Sequence, residues 1–164
     1  MFDCFIQIAD IPGESQDHKH KDWIEVLSYS KGLTQATSGS RSSSGAISAE
    51  RVNFQDVTFT HALDKASPKL SLSCASGKHI PKITMELCRN TGAKELYMKY
   101  ELEDSIITSV RSGGSSSGSE TIPIEEVSFA FGKLTETYTE TDHKTGKPKG
   151  NISFNWSLVE NKGG

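Results

Sequence analysis

The stretch Glu95-Leu-Tyr-Met-Lys-Tyr-Glu-Leu-Glu103 decides the fold. Leu96, Met98, Tyr100 and Leu102 fall on one face of an extended chain, and Tyr97, Lys99, Glu101 and Glu103 on the other, which is the period of a half-buried strand. The same period recurs at both ends of the chain. Residues 2–9 put Phe2, Cys4, Ile6 and Ile8 on one side, and residues 151–159 put Ile152, Phe154, Trp156 and Leu158 against Ser and Asn. Fainter alternation predicts strands over 23–30, 51–60, 82–89, 105–111, 122–132 and 134–140. Two of these change phase: Val52 and Phe54 give way to Val57 and Phe59 across Gln55-Asp56, and Ile122 and Ile124 to Val127, Phe129 and Phe131 across Glu125-Glu126. A one-residue slip turns every later side chain to the other face, so a β-bulge is expected at each place. Bulged, bent strands suit a barrel.

One segment leaves the period of two. Ser67-Pro68 offers an N-cap followed by proline, Leu70 and Cys74 stand one turn apart, and Gly77 can end the element in the left-handed conformation, which predicts one short helix over 68–76. Asp142-His-Lys-Thr-Gly-Lys-Pro-Lys-Gly150 reads as a polar hairpin loop between two strands. Residues 36–49 and 112–119 are Ser/Gly-rich and cannot offset their ordering entropy alone. The longer of them is a surface loop, or an arm that orders against a partner.

At 164 residues the length predicts a single domain, 1–164. Only 34% of the residues are hydrophobic, so the core is lean and partners are expected to supply further burial. Eighteen basic against 21 acidic residues leave a net charge of −3, which argues against a nucleic-acid partner and against a membrane-surface anchor. No apolar run reaches the roughly 20 residues of a membrane span, and Met1-Phe-Asp-Cys4 has no signal-peptide character. Cys4, Cys74 and Cys88 cannot all pair with one another, lack CxxC spacing, and read as buried thiols. The sequons at Asn151 and Asn155 read as chance matches.

Chemistry is mostly missing from the pattern. Gly114-Ser-Ser-Ser-Gly118 matches GxSxG but precedes a strand, whereas a nucleophile elbow needs a strand-to-helix turn. His18 and His20, with Asp17 and Asp22, could ligate a metal, but Lys19 and Lys21 repel a cation, and a solvated turn fits better. His61, His79 and His143 are scattered. The carboxylate pairs Glu101/Glu103 and Glu125/Glu126 read as solvated. No catalytic residue, cofactor or metal is expected. A binding or assembly protein is favoured over an enzyme.

Several stretches in order resemble the hemolysin-coregulated protein (Hcp) family, the tube subunits of bacterial type VI secretion systems. They are Ile11-Pro-Gly-Glu-Ser15 with His18 and Trp23-Ile-Glu-Val-Leu-Ser28; Val52-Asn-Phe-Gln-Asp-Val-Thr-Phe-Thr60; Asp64-Lys-Ala-Ser-Pro-Lys-Leu70 with Ala75-Ser-Gly-Lys-His79; Glu126-Val-Ser-Phe-Ala-Phe-Gly-Lys133 with Tyr138; and Phe154-Asn-Trp156. The resemblance implies a mainly β fold: a β-barrel of two sheets with one short helix on its flank, assembled as a hexameric ring with a wide lumen. Rings stack into the inner tube, which a contractile sheath expels behind a valine-glycine-repeat spike protein. The resemblance further implies export from the bacterial cytoplasm without a signal peptide and carriage of effector proteins in the lumen. By local matching it places lumen and effector contacts at Ser28, Ser30 and Lys31. It places ring stacking on the 36–49 loop, at Ser38, Ser40, Arg41, Ser42, Ser43 and Ser44. The chain ends at Gly164, just past the last strand pattern, so no fused effector domain is expected. The competing expectation is a monomeric β-barrel that binds a small ligand under the 36–49 and 112–119 loops.

Overall fold

A computed structural model describes residues 1–38, 47–91, 93–119 and 121–164. In chain order its elements are β1 (Phe2–Ile8), β2 (Ile24–Val26), β3 (Ser28–Ser30), β4 (Leu33–Ser38), β5 (Ser48–Phe54), β6 (Val57–Ala62), α1 (Ser67–Ser76), β7 (His79–Thr91), β8 (Ala93–Gly113), β9 (Ile124–Ala130), β10 (Lys133–Thr141), β11 (Pro148–Ser157) and β12 (Lys162–Gly163). Every strand pairing is antiparallel.

The run 24–30 is the seam of the barrel. Its first half, β2, bonds β1, and its second half, β3, bonds β6; between them the Leu27 N–H donates to the Thr60 carbonyl at 2.8 Å. The circuit then continues from β6 to β9, β8, β7 and back to β1. Closure leaves those strands no free edge. From β8, the strands β10, β11 and β12 extend the sheet outward.

Two of the expected strands, 95–103 and 105–111, are one element of 21 residues, β8. Asp104 breaks its regularity with φ of 54°, in the left-handed region that few residues other than glycine adopt. Up to Glu103 the strand lies against β10, and from Ile106 onward against β9, so Asp104 marks the point where β8 changes partner.

Inside the barrel, Ile6, Ile24, Phe59, Ile83, Met85, Leu102, Ile107, Phe129 and Leu134 are fully or almost fully buried. Helix α1 adds Ala66 and Leu70 to this core and packs on β8. On the outer side of β1 the 10–23 loop folds back, with Gly13 N–H donating to the Asp22 carbonyl at 2.7 Å and Ser15 N–H to that of Trp23 at 3.0 Å.

Several expectations are corrected. The phase change at Gln55-Asp56 is no bulge but a break: β5 pairs only β4 in a separate two-stranded sheet, and β6 enters the barrel. Across Glu125-Glu126 the register with β6 is unbroken; Ile122 and Ile124 point outward, and Glu125 shares the inward face with Val127 and Phe129. Bulges fall instead at Leu87/Cys88, Ile107/Ser109, Gln35/Thr37 and Glu140/Thr141. In the helix, Ala66 is the N-cap, and the Ser67 hydroxyl accepts the Asp64 N–H at 3.2 Å rather than capping α1. The left-handed Gly77 (φ 64°) ends it as the sequence predicts. Cys74 is half-buried rather than buried, unlike Cys4 and Cys88. Leu158 lies past the end of β11, and Ile152 is 70% exposed. The 36–49 segment is not irregular throughout, because β4 runs to Ser38 and β5 starts at Ser48.

Candidate functional site

Alternation in Ser28-Tyr-Ser30, Val57-Thr-Phe-Thr-His61 and Glu125-Glu-Val-Ser-Phe129 sends large residues inward and small hydroxyls outward. Cross-strand partners share a face, so the registers assemble these residues into rows. Inside, Tyr29, Phe59, Val127 and Val110 form one row. Outside, Ser30, Thr58, Ser128 and Ser109 form a row of hydroxyls across β3, β6, β9 and β8, and Ser28, Thr60, Glu126 and Arg111 form the next. Ser28 Oγ lies 2.6 Å from Thr60 Oγ1, and Thr58 Oγ1 lies 2.8 Å from Ser128 Oγ. The result is a hydroxylated face with a cross-strand pair of opposite charges, Glu126 opposite Arg111. It offers hydrogen bonds without a deep pocket.

Lys31, just past β3, turns away from that face. Its ammonium pairs with Glu136 of β10 and stands 5.1 Å over the Tyr100 ring. Ser28 and Ser30 therefore come together on the outer face, whereas Lys31 ties the seam to β10. Thr58, Thr60, Ser109 and Ser128 belong to the same face and were missed from the sequence. The signal was present as the regular hydroxyl at every second position of β6.

The second candidate surface is the β4–β5 hairpin. All six residues of β4 are exposed, and Leu33 and Ile47 present apolar side chains to solvent. At its root Phe54 packs edge-on to Phe131, with centroids 5.7 Å apart, and Arg51 donates to the Leu158 carbonyl at 2.7 Å. Ser38 is exposed and its hydroxyl bonds that of Ser48 across the hairpin. Ser40, Arg41, Ser42, Ser43 and Ser44 lie outside the described residues.

The chemistry-bearing clusters resolve into structural ones. His20 does not lie in a solvated turn: it is 3% exposed, stacks on Phe5 with centroids 4.2 Å apart, and bridges Asp17 (Nδ1, 2.7 Å) and Glu86 (Nε2, 3.2 Å). The Lys94 ammonium donates to Asp17 at 2.5 Å and, against the effect of burial, holds that carboxyl down at about 2, with His20 contributing. His61 is completely buried beside Glu125, with Nε2 2.9 Å from Oε1. His79 Nδ1 bonds Asp104 at 2.9 Å. Burial pushes the Cys4 thiol up to about 12 and that of Cys88 to about 11, which keeps both as thiols. Gly114–Gly118 forms a turn between two strands, with the Ser115 and Ser117 hydroxyls bonded to each other. Among the described residues, no three His, Cys, Asp or Glu side chains converge on a metal position, and no helix is long and apolar enough to cross a membrane.

Comparison with known proteins gives one consistent answer. The family described as "Type VI secretion system effector, Hcp" matches residues 5–138. Protein hcp1 of Pseudomonas aeruginosa is 34% identical over 160 residues, covering 97% of this chain and 96% of that protein. Among solved structures, a type six secretion system protein superposes with a TM-score of 0.93 at 30% identity over the whole of both chains. Hcp1 from Salmonella typhimurium superposes with a TM-score of 0.80 at 32% identity, over 99% of this chain and 98% of that one.

Proposed function

The chain belongs to the Hcp family of type VI secretion tube subunits, and from that premise we propose which surfaces do the work of the tube. The hydroxylated face of β3, β6, β9 and β8 lines the lumen of the ring, with Ser28 and Ser30 in contact with passing effector proteins. The observation that carries this is the row Ser30, Thr58, Ser128 and Ser109, four small hydroxyls abreast on four neighbouring strands. Such a surface can hydrogen-bond a cargo weakly and release it, which suits transit better than tight apolar burial. Lys31 acts from behind, by holding β3 against β10 through Glu136.

The β4–β5 arm, with Ser38 and the segment Ser40, Arg41, Ser42, Ser43 and Ser44, makes the contacts between stacked rings. Its exposed Leu33 and Ile47 support that reading, since unpartnered apolar groups on a projecting hairpin mark a contact surface. The chain works as one unit without catalysis of its own. It is loaded in the bacterial cytoplasm, is secreted, and has the contractile sheath and the valine-glycine-repeat spike as partners. Likeness to Hcp along the whole chain favours this over a monomeric ligand-binding barrel.

Two variants test the two surfaces. S128R, on the hydroxyl row, is expected to leave the mass of the ring unchanged and to abolish co-purification of effectors; undiminished cargo refutes the lumen assignment. Deleting residues 39–45 is expected to spare the ring but reduce tube formation and secretion, and unchanged secretion refutes the stacking role.

A further inference from the structure

Three segments of chain converge on one buried imidazole. His61 comes from β6, Glu125 from the paired position of β9, and Asp64 from the turn that leads into α1. Nε2 bonds Glu125 Oε1 at 2.9 Å, while Nδ1 faces Asp64 Oδ2 at 3.7 Å, close enough for charge pairing but too far for a hydrogen bond. Asp64 also fastens the helix start: its Oδ1 accepts the Ala66 N–H at 2.9 Å, at an N-cap residue whose own side chain offers nothing.

We propose that His61 is a pH-operated latch, which as imidazolium binds the 63–66 turn and the start of α1 to the β6–β9 sheet, and as neutral imidazole releases them. The cation satisfies both carboxylates. Loss of one proton leaves the other on Nε2, where Glu125 is nearly fully buried and needs a donor; the lone pair of Nδ1 then faces the Asp64 carboxylate. Repulsion is relieved by moving Asp64, which also holds the Ala66 N–H.

Other charges do not blur this arrangement. Lys65 and Lys69, beside and on α1, are exposed, as are Arg111 of β8 and Glu126 of β9, which pair on the opposite face of the sheet. β3 brings only Ser28, Tyr29 and Ser30. Burial alone disfavours the imidazolium, but Asp64 and Glu125 outweigh it, so His61 titrates above the ordinary histidine value. Stabilisation is therefore complete below the unfolded value of about 6.5 and is lost as pH rises through the folded one.

The test follows the urea midpoint and the amide exchange of residues 64–70 between about pH 6 and about pH 9, with exchange corrected for its intrinsic rate. The intact chain is expected to lose midpoint and helix-start protection as pH rises, and H61Q to lose markedly less of both. Should H61Q fail to fold, D64N serves instead: it keeps an acceptor for Ala66, removes the charge facing Nδ1, and is expected to weaken the pH dependence. Equal pH profiles for the intact chain and whichever variant folds, or unchanged corrected exchange at residues 64–70, overturn the proposal.

Discussion

Removing the Glu125 carboxylate strands a buried donor. E125A is expected to destabilise the fold by about 1–3 kcal/mol, the usual cost of an unsatisfied buried polar group, and E125Q by less, because its amide oxygen still accepts from His61 Nε2. Urea unfolding separates the two. Asp17 governs the acid limb. Its carboxyl is held at about 2, against an ordinary value of 3.8, so its stabilisation is present above that ordinary value and disappears as pH falls toward the folded one. K94M, which removes the ammonium that holds it there, is expected to flatten the loss of midpoint over that range. Neither site was legible in advance, for one reason. Glu125 beside Glu126, and His20 among lysines, have surface composition, and only the strand register and the folding of the 10–23 loop onto Phe5 bring their partners to them.

Helix α1 was legible because its two ends are written in the chain: Pro68 near the start and Gly77 at the stop. G77A places a Cβ at φ 64° in otherwise open space, so the backbone conformation alone sets its cost, about 1 kcal/mol. Thermal unfolding of the variant measures it. A Cβ on Gly13 meets a different obstacle, the Trp23 carbonyl oxygen at 2.5 Å and Ile24 Cα at 2.8 Å, both backbone. G13A is expected to cost more than G77A and to loosen the 10–23 loop, read out as faster exchange at the Ser15 and Asp22 amides. The runs 2–9, 95–103 and 151–159 announced themselves by alternation and correspond to β1, the first half of β8 and β11, whereas β6 was read together with the end of β5 as one fainter strand, 51–60. β4 gave no strand signal, since all six of its residues meet solvent, and β5 entered only through Val52 and Phe54 as the start of the expected 51–60 strand. The phase change at Gln55-Asp56 was real, but it marks a chain leaving one sheet for another rather than a bulge within one. At Glu125-Glu126 the same symptom arose because Ile122 and Ile124 are outward-facing apolar residues.

A mainly β fold with one short helix was legible from many short alternating strands, which left barrel and sandwich both open; the barrel came from the Hcp resemblance, and its closure was not legible. The seam depends on the run 24–30 serving two different strands and on Asp104 adopting a left-handed conformation, neither of which leaves a mark in hydropathy. A lean core, a hairpin that exposes Leu33 and Ile47, and a hydroxylated sheet face make sense in a subunit that completes its burial in an assembly. The Hcp family forms hexameric rings, and six copies of a 17.9 kDa chain weigh about 107 kDa. The most direct test is the solution mass by light scattering after size exclusion, with electron microscopy of the same peak. A mass near 107 kDa with annular particles is the predicted result; a species near 18 kDa at tens of micromolar protein, with no rings, would contradict the account.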